Sequence, residues 1–459
     1  MKILLVSFHF PPQAPLGARR PSKLAKHLLT AGWDVRVLCA AESQPLAGPH
    51  DLEIDPWRVF RTDWTDWRLL PDRALARVFG ASGPSSAAAS GHGAPPPARR
   101  SLRKRARAFA RRSYELAFCL PDGKRGWRPA ALKAGESIFR GWRPDVIYVS
   151  APPHSSISLA RDLARLAGDV PWGLEFRDRW AGDSYADHPA WRRALDRRME
   201  RRLMEEASLI GVVSPLWAQE LGRLYDPEKV VLSMNGFDPE DQPLDSGRPD
   251  LQPGGLYLLY AGAIYPGRRD MAPVLEALAR LTPEEQSAIR LDLYGDPRLQ
   301  AAAEEAAARG LGIRVEAHPS ISHAEIVARQ YAADVNLLLG WNDPREGGTI
   351  PGKLFELIAA RRPTLATGWA EGAAGRLVRE RGLGLVSTDP GEIAGWLRGL
   401  LLRKRAEGAS PILPAAIREG LSRGEQFAPL ENRLRRIVES RATASSPQAA
   451  VSPARLAAE

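Results

Sequence analysis

Lys2-Ile3-Leu4-Leu5-Val6-Ser7-Phe8 opens the chain. His9-Phe10-Pro11-Pro12 follows, then a segment Gly17–Ala31 with Leu24, Leu28 and Leu29 at helical spacing, then Asp34-Val35-Arg36-Val37-Leu38-Cys39-Ala40. This order decides the fold class. A continuous apolar run, as opposed to an alternating one, suits a strand covered on both faces. A helix between two such runs makes the strands parallel. Ala31-Gly32 supplies the stop between helix and second strand.

The alternation recurs along the chain. Val146–Ser150, Trp172–Arg177, Leu209–Ser214 and Val230–Asn235 read as strands, with helices over Ser155–Leu166, Pro189–Ala207 and Pro215–Leu224. Asp241–Gly255 is rich in Pro, Gly and Asp and marks a domain boundary. Beyond it, strands are expected at Leu256–Ala263, Ile289–Gly295, Ile313–His318, Val335–Gly340, Pro363–Thr367 and Leu383–Ser387. The expected fold is α/β, two doubly wound Rossmann-like domains facing across a cleft. The first occupies 1–240 and the second 256–405. Helices over 413–422 and 425–439 make up a final part, 413–440, and an Ala/Ser/Pro-rich tail, 441–459, is expected to be disordered. The stretch of about 81–98 has the same disordered character.

Bulk composition agrees with 459 residues in two globular domains, 44% of them apolar. No run approaches the ~18 apolar residues of a membrane span. Pro11-Pro12 cuts the first run too early for a signal peptide. Two cysteines, Cys39 and Cys119, argue against a disulfide framework or a cysteine zinc site and fit a reducing cytoplasm. The net charge of +10 favours anionic partners. Much of it is concentrated in Arg99–Arg112, eight Lys/Arg and no acid in fourteen residues. Leu102, Ala106, Phe109 and Ala110 recur there at helical spacing and continue to Tyr114 and Phe118. A basic amphipathic helix suits an anionic lipid surface, although a solvated basic helix has the same pattern.

In open α/β sheets, ligands sit outside the carboxyl ends of the strands. Five strand ends carry suitable chemistry. Phe8–Arg20 holds Gly17 at a helix start, where backbone N–H groups can approach a phosphate or a sugar. It lacks the Gly-x-Gly-x-x-Gly of a dinucleotide site. Ser150-Ala151-Pro152-Pro153-His154 presents a histidine. Glu175-Phe176-Arg177-Asp178-Arg179-Trp180 interleaves charges and aromatics, which suits sugars or phosphates, or simply an internal ion-pair network. Gly262-Ala263-Ile264-Tyr265-Pro266-Gly267-Arg268-Arg269-Asp270 has a glycine turn and two arginines ahead of a helix, the makings of a diphosphate cradle. Glu346-Gly347-Gly348-Thr349-Ile350-Pro351-Gly352-Lys353-Leu354-Phe355-Glu356 runs from a loop into a helix. Lys353 and Glu356 share one face of it. A lysine at a helix start opposes the helix dipole and hints at a negative ligand; a plain surface Lys–Glu pair is the alternative.

Taken together these motifs resemble glycosyltransferase family 4, retaining enzymes of the GT-B fold, from Lys2 to about Leu402. Phe10-Pro11-Pro12 with Gly17, Pro152-Pro153-His154, Phe176–Trp180, Asn235-Gly236-Phe237-Asp238, Gly262 with Arg268-Arg269-Asp270, and Pro351–Glu356 carry the resemblance. It implies a donor site of Gly17, Gly262, Arg268, Arg269, Glu346, Gly348, Lys353, Leu354 and Glu356. Within it Glu356 holds the ribose and Arg268 and Arg269 the diphosphate. It implies His154, Arg269 and Lys353 as catalytic residues, and an acceptor side with Arg20, Arg177 and Asp178. The final helix is expected to cross back to the N-terminal domain. The expected substrates are a nucleotide-sugar and a glycan or lipid-linked acceptor, with no cofactor and no metal. The expected location is cytoplasmic, with peripheral attachment to the inner face of the membrane through 99–118.

Two positions depart from the family pattern. Ala263 stands where an arginine is usual. Gly348 stands where the first of two glutamates eight apart is usual, with Glu346 two residues earlier. These departures leave a catalytically impaired GT-B scaffold as an alternative. A sugar-phosphate epimerase of similar fold fits the acceptor-side motifs less well. A nucleic-acid-binding protein has the charge but no recognised motif, so nucleic acid is not an expected partner.

Overall fold

The computed structural model describes residues 1–12, 16–41, 52–71, 102–183, 188–243, 253–409 and 411–445. The expected loop at 81–98, Arg99–Ser101 of the basic segment and the tail from 446 onward lie outside the described residues.

The chain contains two parallel sheets. The first is built from β1 (Lys2–Ser7), β2 (Asp34–Ala40), β3 (Val59–Thr62), β4 (Val146–Ala151), β5 (Trp172–Phe176), β6 (Leu209–Val212) and β7 (Val230–Leu232), in the order β3-β2-β1-β4-β5-β6-β7. The second has β8 (Leu256–Gly262), β9 (Ile289–Gly295), β10 (Arg314–Pro319), β11 (Val335–Leu338), β12 (Thr364–Ala366) and β13 (Gly384–Val386), in the order β10-β9-β8-β11-β12-β13. Each order reverses beside its first strand, so the switch points are β1/β4 and β8/β11. The first strand is buried from Ile3 to Val6, as its unbroken apolar run requires.

By packing, the chain divides into two units. One comprises Met1–Gly211, Glu228–Val231 and Glu431–Glu459; the other comprises Val212–Pro227 and Leu232–Leu430. The helix Pro215–Leu224 goes with the second unit because Leu216 packs on the cluster formed by Phe237, Ile350, Leu354 and Phe355.

Several expected elements differ in extent. β6, β7 and β11 end two or three residues early, at Val212, Leu232 and Leu338, and the freed residues become loop. β3 was not legible because Val-Phe-Arg-Thr is only half-buried at a sheet edge and does not alternate. The expected helix at 413–422 is a single 3-10 turn, Ala415–Arg418, bounded by Pro414 and by Gly420 at φ +73°. The last helix, Arg423–Ser445, extends five residues into the expected tail, where Thr443 Oγ1 donates back to the Glu439 carbonyl at 3.3 Å.

Candidate functional site

In the second unit, the end of β8 surrounds the Lys353 amine, and the residues after β11 meet the arginines of the turn that follows β8. β8 ends at Gly262, whose φ is +152°. A Cβ at this position would lie 3.0 Å from Lys353 Nζ and 3.2 Å from Tyr260 Oη, so glycine is what lets the lysine approach. Lys353 Nζ donates to the Ala261 carbonyl at 3.3 Å and lies 4.4 Å from the Tyr260 ring centre. Burial, then the nearby Arg269 cation, pulls its pKa from 10.5 down to about 7.

The turn after β8 is closed by its own backbone: Arg268 and Arg269 N–H both donate to the Tyr265 carbonyl, at 2.9 and 2.8 Å. Its two guanidinium groups separate. Arg268 stacks on Trp341 at 4.6 Å, where Arg345 packs as well at 4.4 Å. Arg269 donates through Nη2 to Glu346 Oε1. Glu346 belongs to a 3-10 turn, Pro344–Glu346, that starts where Asp343 accepts from Arg345 N–H at 2.8 Å. Its other oxygen accepts from Trp341 N–H at 3.2 Å. Glu346 also lines a cavity of about 40 Å³ with Gly340, Trp341, Thr349 and Thr367, room for a few waters.

Gly348 packs on the Trp217 indole. A Cβ there would lie 1.9 Å from Trp217 Nε1, so no residue with a side chain fits without displacing a whole ring. The helix Lys353–Ala360 buries Leu354, Phe355, Leu357 and Ile358 and ends at Arg361, which caps it at φ 55°. Leu354 is core; its backbone N–H donates to the Pro351 carbonyl at 3.0 Å. Glu356 lies one turn along. His323 Nδ1 stands 4.0 Å from Glu356 Oε1, and its Nε2 stands 3.5 Å from Asp241 Oδ2. Sequence reading passed over His323; the signal was the capping box Ser322-His323-Ala324-Glu325, which fixes it at a helix start after β10.

In the first unit, the stations also meet, partly in structural roles. Arg177 donates through Nη1 to the Gly17 carbonyl and through Nη2 to the Pro152 carbonyl, both at 2.7 Å. It ties the loops after β1 and β4 together at the switch point. Arg20 and Glu175 form a buried pair, Nε to Oε2 at 2.9 Å, and Ser150 Oγ donates to the other carboxylate oxygen at 2.6 Å. Arg20 thus sits beneath the surface with an internal anion. Asp178 is exposed. His154 stacks on Trp180, centroids 5.6 Å apart, with Nε2 3.4 Å from the Asp178 carbonyl. A further group was not foreseen: Lys124 lies over both the Phe8 and Trp64 rings, at 4.5 and 3.8 Å.

Among the described residues one cluster has metal-ligand spacing, Asp292, Glu316 and His318. Arg290 donates to both carboxylates, at 2.9 and 3.0 Å, and already supplies positive charge there.

Residues 17–236 match the family described as a glycosyl transferase 4-like domain. No curated protein matches the chain by sequence. Among solved structures, the chain is similar to sucrose-phosphate synthase from Thermosynechococcus elongatus, with a TM-score of 0.56 and 17% identity over 97% of this chain and 100% of that one. It is similar to HepE from Anabaena, solved in complex with UDP and glucose, with a TM-score of 0.53 and 13% identity over 96% and 100%. It is also similar to WaaG, a glycosyltransferase involved in lipopolysaccharide biosynthesis, with a TM-score of 0.50 and 14% identity over 98% and 100%. At these identities the structural likeness establishes the architecture, two doubly wound domains of the GT-B type.

Proposed function

From the match of residues 17–236 to a glycosyl transferase 4-like domain and the GT-B architecture, we propose that the chain is a glycosyltransferase that moves a sugar with retention from a nucleotide-sugar to a glycan or lipid-linked acceptor, in cell-surface polysaccharide or glycolipid synthesis. The observation that carries the donor half is Lys353. Its amine at the end of β8 rests on one carbonyl and a ring face, with no ion-pair anion among the described residues. A diphosphate would supply it. To Glu356, on the same helix as Lys353 and with His323 4.0 Å away, we assign the ribose hydroxyls.

In this reading the leaving nucleoside diphosphate gathers negative charge as the glycosidic bond breaks. Arg268, Arg269 and Lys353 stabilise that charge from fixed positions. The acceptor attacks from the leaving-group side, and no resident metal takes part. Glu346 holds Arg269 until phosphate competes for it, then is free to meet the donor sugar. By the family resemblance we assign His154 to the donor sugar and Asp178 to the acceptor.

The helix Leu102–Phe118 exposes Phe109 and Phe118, 74% and 56% accessible, beside Arg111 and Arg112. We assign it to an anionic membrane surface on the cytoplasmic side. Among the described residues no helix is long and apolar enough to cross a membrane. Co-sedimentation with anionic vesicles at low salt checks this, and no binding removes it.

The donor reading is tested by thermal shift against a panel of nucleoside diphosphate-sugars. UDP-sugars come first, because HepE was solved with UDP and with UDP-glucose. Specific binding raises Tm for at least one member; a panel without any shift contradicts the proposal.

A further inference from the structure

The first unit has a second cationic site, at the opposite edge of its sheet. A cavity of about 550 Å³ is lined by Asp169, Pro171, Ser208, Arg433, Arg436, Ile437, Ser440 and Arg441. Pro171 immediately precedes β5 and Ser208 immediately precedes β6, so this is the amino edge of the strands. Arg177 and Asp178 follow β5 at the carboxyl edge. Five residues of strand separate the two, roughly 16 Å. The cavity is therefore no part of the acceptor stations.

Its basic wall is one face of the helix Arg423–Ser445. Arg433, Arg436, Ile437, Ser440 and Arg441 recur at steps of three and four. The lining residues comprise three arginines, the Ser208 hydroxyl and one carboxylate, Asp169, while the Ser440 hydroxyl donates to the Arg436 carbonyl at 2.8 Å. Two of the arginines are held by the backbone of the fold. Arg433 donates through Nη2 to the Glu228 carbonyl, and Arg441 through Nη2 to the Gly168 carbonyl at 3.1 Å. The Glu228 carbonyl does not neutralise the Arg433 cation. Arg433 Nε is buried and has no hydrogen-bond partner among the described residues. Arg436 is exposed and forms no ion pair among the described residues.

We propose that this cavity binds a phosphorylated small molecule, through its phosphate or diphosphate group, at a site separate from the donor and acceptor sites. Forked guanidinium groups with a hydroxyl beside them match tetrahedral oxyanions, and two of the forks are preset by the backbone. The volume accommodates a diphosphate with an organic group attached.

The probe is inorganic pyrophosphate, measured by calorimetry on the full chain. Wild type, Arg436→Ala, Arg436→Glu and Arg269→Ala are compared, with and without saturating nucleoside diphosphate. The proposal expects a pyrophosphate site that survives both nucleoside diphosphate and Arg269→Ala. Its affinity falls about tenfold or more in Arg436→Ala and further in Arg436→Glu. Arg436 is exposed, so both variants keep the wild-type Tm without ligand. Pyrophosphate binding that disappears with nucleoside diphosphate or with Arg269→Ala, or that ignores both Arg436 variants, overturns it. The donor reading stands or falls on nucleoside diphosphate binding itself, so the two failures are distinguishable.

Discussion

The Lys353 amine lies 4.4 Å from the centre of the Tyr260 ring and 3.3 Å from the Ala261 carbonyl. A ring face and one carbonyl are poor replacements for water. With Arg269 nearby as well, the amine titrates at about 7. An incoming diphosphate reverses this balance by favouring the charged form.

Donor affinity therefore depends on pH. Bound diphosphate raises the Lys353 pKa, so binding above pH 7 takes up a proton. Affinity for a nucleotide-sugar, whose diphosphate diester does not titrate in this range, is level below pH 7. It falls above pH 7, approaching about tenfold per pH unit. Lys353→Met flattens the profile. Titration calorimetry from pH 6 to 9 checks it, and a flat wild-type profile counts against it.

The same lysine costs stability. Its folded pKa lies below the unfolded value of 10.5, so the cost is complete below pH 7 and disappears as pH rises toward 10.5. Lys353→Met should melt at least about 2 °C above wild type at pH 6, with the gap closing by pH 10. At the same time it should lose nucleotide binding. A variant less stable than wild type at pH 6 would show that the charge is well accommodated.

Gly348 is fixed by Trp217. Gly348→Glu forces the indole out of its place, 1.9 Å from where the Cβ would stand, and lowers stability by about 1–3 kcal/mol. Trp217→Ala makes room, so the double variant recovers part of the loss. The double-mutant cycle on denaturation midpoints should give a coupling of at least about 0.5 kcal/mol; additive losses would mean that the contact is not what excludes a side chain.

Under the proposed acceptor assignment, Arg20 and Asp178 separate structure from binding. Arg20 is 4% exposed and Glu175 fully buried, so Arg20→Ala leaves a carboxylate without its cation and costs about 3–5 kcal/mol. Asp178→Ala leaves stability within about 0.5 kcal/mol and raises the acceptor KM. Equal melting temperatures for wild type and Arg20→Ala would return Arg20 to the acceptor surface.

The fold was readable because both sheets announce themselves by period: Ile3–Val6 and Leu256–Tyr260 are unbroken apolar runs that only a doubly covered strand explains. The stations were readable because glycines and charges gather at strand ends. What a charge does there was not. Arg269 and Glu346 lie 77 residues apart, and nothing local pairs them. Leu354 matched a motif, yet its spacing with Leu357 and Ile358 makes it core. His323 and Trp217 entered from helices whose own patterns are ordinary, and only tertiary packing brings one to Glu356 and the other to Gly348.

The central claim is that Arg269 and Glu356 hold a nucleoside diphosphate-sugar. The most direct measurement compares wild type, Arg269→Ala and Glu356→Ala for nucleotide affinity and sugar turnover with the donor that the thermal-shift panel identifies. Each variant should lose about tenfold or more in nucleotide affinity, and turnover should fall further in Arg269→Ala, since its charge acts on the leaving group. Unchanged affinity and turnover in both variants would contradict the account.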